Sequence, residues 1–253
     1  MKIVKFISIV MVLSFISCKE EVETPVIVET PKEVVLETST NLLTVINVMK
    51  PDSIQKAEVL TLLQEGTKET MAKRQGFVSS NIHSSLDNRY IINYAQWETG
   101  DDLQAAADLV NSGGAPKMGK AFSMSSPDFH PYQLVEQYNG SSKPIKIDEK
   151  GELLTIVNIL KPVDGVTQDE LIGLLKDAMK NEVLNQSGFI STTIHKSLDN
   201  DLVINYSQWK DGESLQGMVA RVQSGDAPKL GKAFGSGNPD FHPYSIVKSI
   251  YPE

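Results

Sequence analysis

Asn93 and Trp97, with their counterparts Asn205 and Trp209, are the residues here whose types and spacing could do chemistry. Each pair is four apart in a strand-forming run, so both side chains share one face, about 13 Å apart along the strand. An amide at one end and an indole at the other can hold a flat ring system between them. Asn47 and Asn158 stand alone as polar residues in otherwise apolar runs. A buried amide costs a few kcal/mol unless it finds a partner or a ligand. Tyr94, Gln96, Tyr206 and Gln208 point the other way, as do His83 and His195, which belongs with an interface between sheets. His130 and His242 lie in Asp-Phe-His-Pro-Tyr. An Asp-x-His pair offers two metal ligands, too few for a site, so no metal is assigned. Lys117 and Lys229 either attract an anionic substrate or form a solvated edge.

The elements that must position these residues are written twice. Residues 76–98 (GFVSSNIHSSLDNRYIINYAQWE) and 188–210 (GFISTTIHKSLDNDLVINYSQWK) are identical at 14 of 23 positions. Residues 115–132 and 227–244 agree at 13 of 18, and LLTVINVMKP at 42–51 recurs as LLTIVNILKP at 153–162. Each copy reads strand, helix, strand, strand, helix, strand. The first helix is clearest in the second copy, where Thr167 and Glu170 form a capping box before a stripe of Leu171, Leu174, Leu175, Ala178 and Met179. Asp87-Asn88 suits a two-residue hairpin turn between strands at 77–86 and 89–97. A βαββαβ order with a mostly antiparallel sheet is ferredoxin-like, an α+β fold. Such a unit leaves one sheet face bare, and a second copy in the same chain is its natural cover. The expected fold is therefore two tandem domains, 40–138 and 151–253, joined by a polar linker at 139–150, with sheets packed face to face as an intramolecular pseudo-dimer.

The recurring Gly-Phe-(Val/Ile)-Ser, Ile-His, Ser-Leu-Asp-Asn and Ile-Asn-Tyr-x-Gln-Trp elements resemble the antibiotic-biosynthesis monooxygenase (ABM) family, over residues 41–138 and 152–250. The resemblance implies the dimeric α/β-barrel type of sheet pairing. It also implies an activity: some members oxygenate anthrones or quinols with no metal or flavin, molecular oxygen being the co-substrate, and others degrade haem. On that likeness Asn93, Trp97, Asn205 and Trp209 are catalytic, while Asn47, Asn158, Lys117 and Lys229 contact substrate. The sequence departs from the family at Leu103 and Leu215, roughly where its anthrone oxygenases use a Tyr, and at Lys117 and Lys229, near its Arg. The haem-degrading branch needs an axial His about ten residues after the Trp, where Ala107 and Val219 stand. Three roles stay open: a cofactor-independent monooxygenase of a small aromatic or quinol-type compound, a non-catalytic module binding a small hydrophobic ligand, and a structural or interaction role.

Composition narrows the partners. The 253 residues carry 24 basic and 32 acidic side chains, a net charge of −8, without the basic cluster that nucleic acid would need. One cysteine rules out an internal disulfide and a cysteine-built zinc site. Lys2 and Lys5, a short apolar run at 6–16, Ser17 and Cys18 resemble a bacterial lipoprotein signal, with 1–17 removed and Cys18 lipidated. Residues 18–39, with six Glu against two Lys, then read as an acidic, extended tether. The expected setting is that of an outer-membrane lipoprotein, held to the membrane through Cys18 and facing the periplasm or the cell surface.

Overall fold

The computed structural model describes residues 34–140, 144–147, 149 and 152–253. Cys18, the expected signal segment and the expected tether up to residue 33 lie outside the described residues. In the first repeat, strand β2 (Leu43–Met49) leads into helix α1 (Lys56–Glu69). The hairpin of β3 (Phe77–Ser85) and β4 (Ile91–Trp97) follows, then α2 (Gly100–Asn111), α3 (Pro116–Ser123) and β5 (Asp128–Asn139). The second repeat runs β7 (Leu154–Leu160), α4 (Gln168–Ala178), β8 (Phe189–Ser197), β9 (Val203–Trp209), α5 (Gly212–Ser224), α6 (Pro228–Gly237) and β10 (Pro239–Ile250). The capping box at Thr167 and Glu170 opens α4.

The two sheets do not remain separate. Within each repeat the strands take the ferredoxin-like order, β5-β2-β4-β3 and β10-β7-β9-β8. The edges then pair across repeats, β5 with β8 and β10 with β3, closing one antiparallel eight-stranded barrel. Closure satisfies four edges that two free sheets would leave open. It also sends each repeat's last strand into its neighbour's core: Ile250 packs in the first repeat's cluster and Tyr138 in the second's. The helices cover the outside of the barrel.

The inward face carries the buried histidines. His83 Nδ1–H donates to the Asn81 carbonyl at 3.0 Å, and Nε2 takes the Tyr206 hydroxyl at 3.1 Å. His195 Nε2 lies 2.9 Å from the Tyr94 hydroxyl. Burial pushes His83 down to about 4 and His195 to about 3, so both are neutral imidazoles near pH 7. The other two histidines tie one repeat to the other. His130 sits between Asp128 (2.9 Å) and Asp199 (2.6 Å), and His242 between Asp240 (2.8 Å) and Asp87 (2.7 Å).

Three expectations are corrected. Each repeat has an extra short helix, α3 or α6, begun by Pro116 or Pro228 in its first turn, where the missing N–H costs nothing. The β3–β4 connection is not a two-residue turn: residues 86–90 separate the strands. The Ser85 hydroxyl accepts from the backbone N–H groups of Arg89 and Tyr90, and Asn88 adopts φ +65°. Finally, the end of the expected tether and part of the expected polar linker are core. Strand β1 (Val34–Val35) pairs with β6 (Lys146–Ile147), and Val34, Leu36, Ile145 and Ile147 are buried in one cluster with Ile46, Tyr94 and Tyr206. Apolar residues two apart give this ribbon one apolar face, and Gln208 anchors it by donating to the Lys146 carbonyl at 2.7 Å.

Candidate functional site

Alternation along the strands sorts the side chains. On β4, Asn93, Ala95 and Trp97 face the helices while Ile92 and Tyr94 face the barrel interior; on β2, Val45 and Asn47 share the helix side. Asn47 lies directly opposite Asn93, and Asn158 opposite Asn205, in the strand register. A bulge then re-aims the start of β3. Phe77 pairs with Trp97, but Ser79 pairs with Gln96, so one extra residue turns Phe77 onto the tryptophan's side. The two rings meet edge to face with centroids 5.3 Å apart, and Phe189 and Trp209 repeat the contact at 5.4 Å. Gly76, at φ +70°, precedes this contact, and a Cβ there would fall 2.2 Å from an Asp102 carboxylate oxygen, so the position suits only glycine.

Between each half of the barrel and its helices lies a cavity, of about 310 Å³ in the first repeat and about 320 Å³ in the second. The first collects Asn47, Asn93 and Trp97; the second collects Asn158, Asn205 and Trp209. Six of the eight expected site residues thus fall into two matched groups. Lys117 and Lys229 do not join them. Lys117 is ion-paired on the surface with Glu65 (2.7 Å) and Glu69 (2.6 Å), whose carboxylates hold its ammonium above the usual range; Lys229 pairs with Asp177 at 2.9 Å. On α3 it is Met118 and Phe122 that face the cavity, and Lys117 lies off that stripe.

The polar groups are few and oriented. The Ser80 hydroxyl donates to Asn93 Oδ1 at 2.6 Å, and Thr192 makes the same bond to Asn205. With its oxygen so engaged, each amide has its Nδ2 hydrogens left to offer a guest. Asn47 Oδ1 and Asn158 Oδ1 are buried and have no hydrogen-bond partner among the described residues. A buried acceptor left unpaired costs about 1–3 kcal/mol. Each cavity is therefore lined by one amide with donor hydrogens to spare and one amide whose buried oxygen is unpartnered, among apolar side chains and a few further polar ones, Thr67 and Asn111 in the first and Ser207, Gln216 and Gln223 in the second. Such an amide pair matches a hydroxyl group on a flat guest. Among the described residues, no titratable side chain lines either cavity. Leu103, Leu215, Ala107 and Val219 all do, so neither a phenol nor an imidazole occupies those positions. The lining offers haem iron no imidazole, thiolate or phenolate, only the thioethers of Met71 and Met118 in the first cavity and of Met179 and Met218 in the second.

Sequence reasoning missed Ser80 and Thr192, although the hairpin register places each diagonally opposite its asparagine. It also missed the wall formed by α3 and α6.

No family model matches the chain. A stretch of 67 residues, 26% of the chain, is 33% identical to tetracenomycin-F1 monooxygenase from Streptomyces glaucescens, and the chain spans 60% of that relative's length. Among solved structures, an anthrone oxidase-like protein superposes with a TM-score of 0.73 at 20% identity, over 87% of this chain and 97% of that one. A Fusobacterium nucleatum protein with a provisional monooxygenase name gives 0.55 at 8% identity, over 84% and 95%. The sequence likeness is to a monooxygenase, and the structural likeness shows a shared fold.

Proposed function

We propose that the protein is an ABM-type monooxygenase acting on a small hydroxylated aromatic compound of anthrone or quinol type, with molecular oxygen as co-substrate and no organic cofactor or metal. The observation that supports it best is the buried, unpartnered oxygen of Asn47 and Asn158 beside the free amide donors of Asn93 and Asn205. A guest hydroxyl donates to the first and accepts from the second. As the substrate loses its proton, the Asn93 amide is already aimed at the oxygen where charge develops. The lining holds no base, so the substrate must ionise readily itself, as a phenol or a methylene activated by a neighbouring carbonyl does. The resulting anion passes an electron to oxygen, and the radical pair combines as a peroxide. One oxygen atom stays as a new carbonyl, and the other leaves as water with the two methylene hydrogens. Trp97 and Phe77 hold the ring, and the apolar walls keep water out.

A second reading, binding without turnover, is favoured by Leu103 and Leu215, which line the cavities where a proton-transferring side chain would be useful. Oxygen uptake with anthrones, hydroquinones and flavonols separates the two. Uptake abolished by Asn93→Ala combined with Asn205→Ala supports the enzyme. No uptake, alongside quenching of Trp97 and Trp209 fluorescence by the same compounds, overturns it in favour of the binding module.

Two further parts of this proposal concern organisation. The barrel is a tandem pair of ABM-like domains doing within one chain what a dimer would do with two, a reading supported by the internal repeat and by the crossed pairing of β5 with β8 and β10 with β3. Lipidation of Cys18 would hold it to the outer membrane. Loss of metabolic fatty-acid labelling in Cys18→Ser tests that attachment.

A further inference from the structure

The two cavities are close in size but not in shape. At an offset of 112 residues, or 111 in the first strand, most positions of the two walls correspond, and the differences are concentrated on two sides. On the helix that follows the tryptophan, Ala106 and Ala107 of the first cavity are replaced by Met218 and Val219 in the second. Those changes add five heavy atoms to that wall. At the end of the first helix the change runs the other way, with Met71 replaced by Val183. That end of the chamber changes in shape rather than in bulk, because Met179 in place of Thr67 adds the heavy atom that Val183 in place of Met71 removes, and the volumes stay close at about 310 and about 320 Å³.

The polar pattern moves too. The first cavity has a hydroxyl on its helical wall, Thr67, whose partner is the weakly accepting Met118 sulfur at 3.8 Å; the second has Met179 there. The second instead has Ser207 on its sheet floor, two residues from both Asn205 and Trp209, where the first has Ala95.

We infer that the two cavities are specialised for different guests of the same general class, an inference that rests on the proposed binding of hydroxylated aromatics. The first takes a guest whose rings extend toward Ala106 and Ala107 and whose second polar group reaches the Thr67 wall. The second takes a guest kept away from Met218 and Val219, with its second polar group over Ser207. The specificity-determining positions are Ala106, Ala107 and Thr67 in one cavity and Met218, Val219 and Ser207 in the other.

Single-tryptophan proteins read the cavities separately. Trp209→Phe leaves Trp97 to report on the first, and Trp97→Phe leaves Trp209 to report on the second. Each is titrated anaerobically with 1,8-dihydroxyanthrone and with 1,4-dihydroxynaphthalene. The ratio of the two dissociation constants is expected to differ between cavities by roughly tenfold, the scale set by a few methylene-sized changes in an apolar pocket. Adding Ala106→Met with Ala107→Val should shift the first cavity's ratio toward the second's. Met218→Ala with Val219→Ala, which enlarges rather than crowds, should shift the second toward the first. Ratios that agree within about twofold, or that ignore both exchanges, overturn this specialisation while leaving binding intact. No quenching by either probe in either protein overturns the binding of hydroxylated aromatics itself, and the specialisation with it.

Discussion

Acidification should weaken the barrel between pH 6.5 and 4, and His83 should account for much of the loss. His83 is fully buried, bonded to Tyr206 across the repeats and held down to about 4 from its ordinary 6.5. An unfolded chain takes up a proton on this residue once the pH drops below 6.5, whereas the folded barrel does not until about 4. Its contribution is thus complete above pH 6.5 and is lost progressively as the pH falls toward 4. The gap is worth on the order of 3 kcal/mol, of which about 2 kcal/mol disappears between pH 7 and pH 5. His195, held down to about 3, adds a loss of the same sign. Urea denaturation followed by circular dichroism at pH 7, 6 and 5 measures this. His83→Gln keeps a neutral hydrogen-bonding side chain and removes the titration, so its stability should fall by about 2 kcal/mol less than wild type over that range. Parallel losses in the two proteins would refute the reasoning. Asp199 does not confuse the result: the Ser197 hydroxyl first, then His130, hold its carboxyl at about 2 despite some desolvation, so its contribution is lost only below about pH 4.

Other consequences concern the ribbon and the seam. Leu36→Ala should destabilise the protein by about 2–5 kcal/mol, as for a fully buried leucine, and unchanged stability would return residues 34–36 to a free tether. Asp199→Asn combined with Asp87→Asn removes one carboxylate from each inter-repeat histidine and should lower the thermal midpoint at pH 6. An unaltered midpoint would show that these bridges add nothing. Gly76→Ala should cost more than the equivalent change at Gly100, because only Gly76 has positive φ and a carboxylate 2.2 Å from its missing Cβ. Equal melting curves would contradict that difference.

Much of the site was legible before any fold was known, because a two-residue period decides which strand residues share a face. Asn93 with Trp97, the isolated Asn47 and their second copies needed no more than that period and the knowledge that first and third strands are neighbours. The period also put His83 and His195 on the opposite face. What it could not supply came from short elements. Helix α3 has eight residues with Gly119 within it, too few turns to show a stripe, so the placement of Met118 and Phe122 toward the cavity and of Lys117 toward Glu65 was not visible. The two-residue strands β1 and β6 are too short for the alternation of Val34 with Leu36 and of Ile145 with Ile147 to stand out in the sequence. Their burial comes from the barrel's inward residues, and neighbouring charges at Glu33, Glu37, Lys146 and Glu149 made both segments look solvated. Ser80 was hidden for another reason: a diagonal contact across a hairpin is legible only once the exact register is known.

The sharpest test falls on the unpartnered amide oxygens. Asn47→Leu combined with Asn158→Leu removes both buried acceptors without changing side-chain size greatly. If they are kept for a guest hydroxyl, the variant should be at least as stable as wild type, since an unpaired polar group has gone. Anaerobic calorimetric titration with 1,8-dihydroxyanthrone should then give two sites per chain in wild type and affinity weakened by about tenfold in the variant, the worth of one hydrogen bond at each site. Unchanged affinity would contradict the assignment of these cavities as the functional sites.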